Sequence, residues 1–244
     1  MIEADDEQAL FGLQLARATP KIWVTPTLIG INVLVLLANV ALGVDLLAPK
    51  VADLAAWGGN YLPLTLLQPW RLMTATVLHG GIVHLAFNMW ALWSLGRLAE
   101  RFYGNKQFFI IYLLSGLFAS LASLFFAART GVSVGASGAI FGVVGALLAA
   151  IYTKQSKLPS SMVTALRASL LPFIAFSLIM GFATGHIDNA AHLGGLAAGF
   201  MLAAVMAEKF DWAQYKRQVI PRALASIAMS AVAVYAIWNL LPSK

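Results

Sequence analysis

The chain has 244 residues, a net charge of +6, 60% hydrophobic side chains and 11% charged ones, against about 25% charged in soluble domains. So few charges cannot cover a soluble protein of this size, and disorder needs low hydrophobicity, so a polytopic membrane protein is the class that remains. The basic residues form no cluster interleaved with aromatics, which argues against nucleic acid, and the absence of cysteine removes disulfides, thiolate metal sites and a thiol nucleophile.

Taken in chain order, residues 1–23 read as a short cytoplasmic tail. Glu3, Asp5, Asp6 and Glu7 stand where a cleavable signal needs a basic region and an apolar run. Apolar runs of the length needed to cross a bilayer, about 17–25 residues, follow at 24–44, 82–100, 108–126, 137–153, 168–183, 190–207 and 223–241. The repeated length fits helices and not the alternating strands of a membrane barrel. The expected fold is all-α and polytopic: a core over 24–207 with six spans, then a linker and a seventh helix over 208–244. Between the first two spans lies a long segment, 45–81, rich in Leu and carrying Trp57, Tyr61 and Trp70. Such a composition suits a loop lying at headgroup level.

Charge bias sets the orientation. With the N-terminus inside, Arg17, Lys21, Arg97, Arg101, Lys106, Lys154, Lys157, Arg167, Lys209, Lys216, Arg217 and Arg222 are inside, and Lys50, Arg71, Arg129 and Lys244 are outside. The bias places the N-terminus in the cytoplasm. Glu100 with Arg97 and Arg101 reads as a charge cluster at the inner interface.

Polar groups inside a span are costly and mark candidate function. His84 and His192 lie in predicted spans, Asn88 sits one turn after His84, and Ser137 opens the fourth span. Ser137 to Lys154, His192 to Lys209 and His84 to Arg101 are each 17 residues, about 25 Å of helix. Because basic residues mark the inner interface, Ser137, His192 and His84 share one height near the outer edge. Gly138, Gly142 and Gly145 in the fourth span, and Gly195 and Gly199 in the sixth, allow close helix contact. Ser137 and His192 can then meet as nucleophile and base. The helix start at Ser137 offers free N–H groups for an oxyanion, and His84 and Asn88 can add donors. His79 reads as a structural or oxyanion-neighbour residue at a loop–helix junction, His186 as a loop residue, and Asp188 as a helix cap or its neighbour rather than a triad acid. No carboxylate accompanies the histidines at membrane depth, so no metal is expected, and no cofactor is implied.

These residues resemble the rhomboid family of intramembrane serine proteases. His79-Gly-Gly-Ile-Val-His84-Leu-Ala-Phe-Asn88 is similar to its second-helix motif, Gly135-Ala-Ser137-Gly to its nucleophile motif, Ala191-His192-Leu-Gly-Gly195 to its sixth-helix motif, and Trp70-Arg71 to a pair in its first loop. The resemblance implies a Ser137–His192 dyad without a third acid. It also implies an oxyanion and substrate site from Gly135, Ser137, His84 and Asn88, and a wet cavity opening outward. The first loop would brace the bundle, and the fifth helix with the loop before His192 would gate it. Where many relatives carry Tyr beneath the catalytic histidine this chain has Phe141, which keeps the stacking and loses the hydroxyl. The implied partners are transmembrane protein substrates and the bilayer itself, and the implied location is a bacterial inner membrane. Two rivals remain at this point. One is a non-catalytic membrane-protein binder of the same fold, and the other is a small transporter, which would need charged residues at the midplane.

Overall fold

In hydrocarbon each backbone N–H and C=O has to find its partner within its own segment, so long apolar runs become helices. The computed structural model describes residues 4–126, 131–153, 157–184, 187–210 and 212–241. Helix α1 (Ala4–Ala18) precedes α2 (Val24–Ala41). The segment expected as a loop carries three short helices, α3 (Val51–Ala56), α4 (Leu62–Thr65) and α5 (Arg71–Thr74). Then come α6 (Ile82–Ala91), a π-helical turn at Leu92–Gly96, and α7 (Arg97–Phe125). Helices α8 (Ser137–Thr153), α9 (Ser160–Thr184), α10 (Asn189–Val205) and α11 (Trp212–Leu240) complete an all-α polytopic architecture.

Among the described residues four helical runs are long and apolar enough to cross a membrane: Val24–Ala41, Ile82–Phe125, Ser160–Thr184 and Trp212–Leu240. The second contains two expected spans, and Gly104 divides them. It adopts φ 73° and ψ 158° inside an otherwise helical run, a conformation costly for a residue with a Cβ. A straight helix from Ile82 to Gly116 would measure about 50 Å. Instead, a Cβ added to Gly116 would meet the Thr76 side chain at 3.3 Å, so the chain doubles back at Gly104.

The Gly104 end of this hairpin is locked by a carboxylate. Glu100, expected in an interface charge cluster, is fully buried. It accepts the backbone N–H groups of Trp23 and Val24 on one oxygen, at 2.9 and 2.8 Å. The N–H and hydroxyl of Thr25 donate to the other, at 2.9 and 2.7 Å. No local side chain caps α2, so Glu100 supplies from 75 residues away the acceptors that its first turn needs, with favourable charge against the helix dipole. The reading as an interface charge cluster fails because sequence spacing puts Glu100 beside Arg97 and Arg101, whereas helix rotation turns it inward onto the start of α2.

Helix α8 is the centre of the molecule: every residue from Gly138 to Ile151 is buried. Its 17 residues span only about 25 Å, as do the 17 of α10. Both are shorter than a hydrocarbon core of about 30 Å, and α8 is walled off by its neighbours. Helix α10 lies directly on it. An added Cβ on Gly195 would overlap the Gly138 carbonyl, one on Gly199 would overlap the Gly142 carbonyl, and one on Gly145 would overlap the Leu196 carbonyl. Gly138 and Gly142 also leave room for Ala119 and Ser115 of α7.

The segment between α2 and α6 is tied to the bundle by buried polar groups. Arg71 is buried and donates to the carbonyls of Ala55 and Gly59 and to Gln68. Asn60 donates to the Ser120 carbonyl at 2.8 Å and accepts from the Thr65 hydroxyl. Its backbone forms an antiparallel bridge with Ser133.

Three boundaries differ from expectation. The N-terminal residues form α1, because Phe11 packs against Phe102 and Phe210 and Leu15, four residues on, joins the same buried cluster. Helix α9 begins at Ser160 rather than 168 and α11 at Trp212 rather than 223. Good helix formers such as Ala, Leu, Gln, Lys and Arg carry the helical run past the apolar stretch. Of the residues used for orientation, Arg129, Lys154 and Lys244 lie outside the described residues, as does His186.

Candidate active site

Ser137 is the first residue of α8 and His192 lies one turn into α10. The glycine contacts bring the two helix starts together, and His192 Nε2 lies 2.9 Å from Ser137 Oγ. That distance is an ordinary hydrogen bond, with the serine hydroxyl donating when the ring proton sits on Nδ1. His192 is buried and Ser137 half-buried. The imidazole stacks on the Phe141 ring at 4.1 Å and 7°, and Phe173 of α9 packs against Phe141 at 5.7 Å. His192 Nδ1 has no hydrogen-bond partner among the described residues.

Opposite this pair stands His84 on α6. The Gly80 N–H donates to its Nδ1 at 3.2 Å, so the neutral ring carries its proton on Nε2. That nitrogen faces Gly135, where an added Cβ would come within 2.9 Å of it. Gly135 also has φ 127°, so this position demands glycine twice, for conformation and for the ring beside it. The Gly135 N–H is anchored on the Ala75 carbonyl at 2.9 Å. The N–H groups of the first turn of α8 have no intrahelical acceptor. Gly135 thus stands between the His84 ring and the start of α8, where its added Cβ would also lie 3.9 Å from the Ser137 nitrogen.

The remaining sequence candidates fall at different distances from this centre. Asn88 is buried, and its amide donates to the His84 carbonyl at 2.9 Å. One of its two N–H groups is thus engaged within its own helix, and the other is available. His79 is buried against His84, ring centroids 5.2 Å apart. Burial, and after it the neighbouring His84, push the His79 imidazole down to about 3. Gly138, Gly142, Gly195 and Gly199 line the α8–α10 contact.

Asp188 caps α10. One carboxylate oxygen accepts the Ala191 N–H at 2.9 Å. The other accepts the Ser133 hydroxyl at 2.7 Å and the Ser123 hydroxyl. The cap was legible from an acid just ahead of an apolar run. The two serines were not, since they lie 55 and 65 residues away and carry no local pattern.

Comparison with known proteins identifies the family. The Rhomboid domain family model matches residues 66–209, a stretch that includes Trp70, Arg71, His84, Asn88, Ser137 and His192. Over 137 residues the chain is 45% identical to Rhomboid protease GluP of Bacillus subtilis (strain 168), covering 56% of this chain and 26% of that one. It is 37% identical over 163 residues to RHOMBOID-like protein 4 of Arabidopsis thaliana, covering 66% and 40%. With YdcA of Bacillus subtilis (strain 168) it shares 33% identity over 140 residues, covering 57% and 68%. The chain thus spans 26% and 40% of the length of the first two relatives. A match over more than half of this chain, with Ser137 and His192 inside it, assigns the chain to the rhomboid family.

Proposed function

We propose that the chain is an intramembrane serine endopeptidase that cleaves transmembrane segments of other membrane proteins through a Ser137–His192 dyad. The observation that carries this reading is the 2.9 Å contact between Ser137 Oγ and His192 Nε2 at the unpaired N–H groups of a helix start. A serine hydroxyl is a weak nucleophile until a base takes its proton. His192 accepts that proton as Ser137 Oγ attacks the substrate carbonyl. The oxyanion forms beside the first N–H groups of α8, His84 Nε2–H and the free N–H of Asn88, where fixed donors lower the barrier. His192 then protonates the leaving amine, and water hydrolyses the acyl enzyme with the same base. Phe141 holds the imidazole plane, and Gly135 keeps the approach of His84 open.

A substrate helix has to unwind before its carbonyl can be attacked, and Gly or Pro in that helix lowers the cost. The substrates are single transmembrane segments cut near their outer ends, after small residues. The unit over 24–207 performs the reaction, with 1–23 and 208–244 flanking it. The chain sits in a bacterial inner membrane with its N-terminus in the cytoplasm and the Ser137 end outward, as the charge bias suggests.

The test is co-expression of the wild type, Ser137→Ala and His192→Ala with a panel of single-span reporters, together with fluorophosphonate labelling. The wild type should cleave a reporter and be labelled at Ser137, and both variants should lose cleavage. Cleavage by Ser137→Ala would overturn the dyad. Binding of reporters with neither cleavage nor labelling would favour a non-catalytic binder.

A further inference from the structure

We infer that Asp188 is a positioning residue that fixes the base relative to the nucleophile by joining the two segments that carry them, acting through the backbone rather than through the imidazole. The inference rests on the dyad reading above. Asp188 lies four residues before His192, and Ser133 lies four residues before Ser137. One carboxylate oxygen holds the first turn of α10 through the Ala191 N–H at 2.9 Å. The other holds the segment leading into α8 through the Ser133 hydroxyl at 2.7 Å, and the end of α7 through the Ser123 hydroxyl. A single side chain therefore connects the start of the base helix, the approach to the nucleophile helix and a third helix behind both.

The rest of the geometry makes this connection necessary. The glycine contacts set how near α8 and α10 approach, but smooth glycine faces do little to prevent one helix sliding or turning on the other. The Phe141 ring fixes the plane of the imidazole but allows it to slide within that plane. No protein group holds His192 Nδ1 among the described residues, so the acid that orients the base in a triad is missing. What remains is the backbone of α10, held at its start by Asp188 and by the Asn189 amide on the Leu178 carbonyl, and just past its end by Gln107 at Ala207. Ser133 is fixed independently on its other side. Its N–H and carbonyl pair with Asn60 at 2.8 and 3.0 Å, and Asn60 is in turn anchored on Ser120. Asp188 thus ties the start of α10 to a segment held on its other side by Asn60, and with it the position of His192 against Ser137.

Three substitutions separate this role from simple helix capping. Asp188→Ser restores an N-cap acceptor but is too short to reach Ser123 and Ser133. Asp188→Asn keeps a cap and can still bond both hydroxyls. Ser123→Ala with Ser133→Ala keeps the cap and removes the bridge. Each is reconstituted in liposomes as the full chain, and kcat, KM, thermal unfolding and the rate of fluorophosphonate labelling at Ser137 are measured. Because misplacement by about 1 Å can cost 100-fold, Asp188→Ser and the double serine variant should each lose kcat by about 10-fold or more. Their KM and unfolding midpoint should stay near wild type, and Asp188→Asn should recover most of the rate. Wild-type kcat in Asp188→Ser, or a loss confined to KM, or a loss in step with the unfolding midpoint, would overturn the inference. Failure of the dyad itself would be distinct, since the wild type would then be neither active nor labelled.

Discussion

The contact between α8 and α10 sets the distance across the site, so widening it by one methyl group should uncouple Ser137 from His192. In a Gly199→Ala variant the new Cβ would sit 2.5 Å from Gly142 Cα and carbonyl C, and closer still to the carbonyl oxygen. These are backbone atoms, so no rotamer change relieves the overlap. Ordinary contact begins at 3.4 Å, so the helices have to part by about 0.9 Å or more. Carried to the helix starts, that opening stretches the 2.9 Å contact between Ser137 and His192 to about 3.8 Å, beyond hydrogen-bond range. The rate should then fall by about 100-fold, and overpacking should lower stability by about 1–3 kcal/mol. Cleavage of a single-span reporter in liposomes gives the first quantity and thermal unfolding in detergent the second. Gly30→Ala is the control: it lies in α2 with nothing within 4 Å of its added Cβ, and alanine favours the helix, so its activity should match wild type. Wild-type cleavage by Gly199→Ala would refute the reasoning, since the site would then tolerate a spacing at which proton transfer should fail.

Three further outcomes are expected. Glu100→Gln leaves part of the first turn of α2 without acceptors and should lower stability by about 1–3 kcal/mol in detergent unfolding; an unchanged midpoint would show that the cap is dispensable. Arg71→Lys cannot present the planar fork that reaches Gln68 and the carbonyls of Ala55 and Gly59. It should cost about 1–3 kcal/mol, read the same way. His79 has a folded value of about 3, below its ordinary 6.5, so on acidification the unfolded chain takes the proton first. Its contribution to stability is complete above pH 6.5 and is lost as pH falls from there toward 3, by up to about 1.4 kcal/mol per pH unit. His79→Gln should flatten the acid limb of the unfolding curve, and parallel limbs for variant and wild type would reject this account.

Much of the protein was readable along the chain because the controlling quantities are local. The length of an apolar run decides whether a helix can cross, so the runs at 24–44, 82–100 and 108–126 found their helices. A rise of about 1.5 Å per residue converts the distance from a basic interface into height, which put Ser137, His84 and His192 at one level. The glycine spacings of α8 and α10 pointed to a close pair, and an acid ahead of an apolar run pointed to a cap. Where helices extended past the apolar stretch, as in α9 and α11, composition had no edge to mark.

Rotation about the helix axes and pairing across the chain were decided only in the folded molecule. Glu100 sits between two arginines in sequence, yet it faces inward onto the start of α2. Asp188 meets Ser123 and Ser133, and the chain reverses on a single positive φ at Gly104. A sequence records how far along a helix each group stands. Which faces meet is settled by packing all the helices at once, because each azimuth is chosen by neighbours that lie tens of residues away.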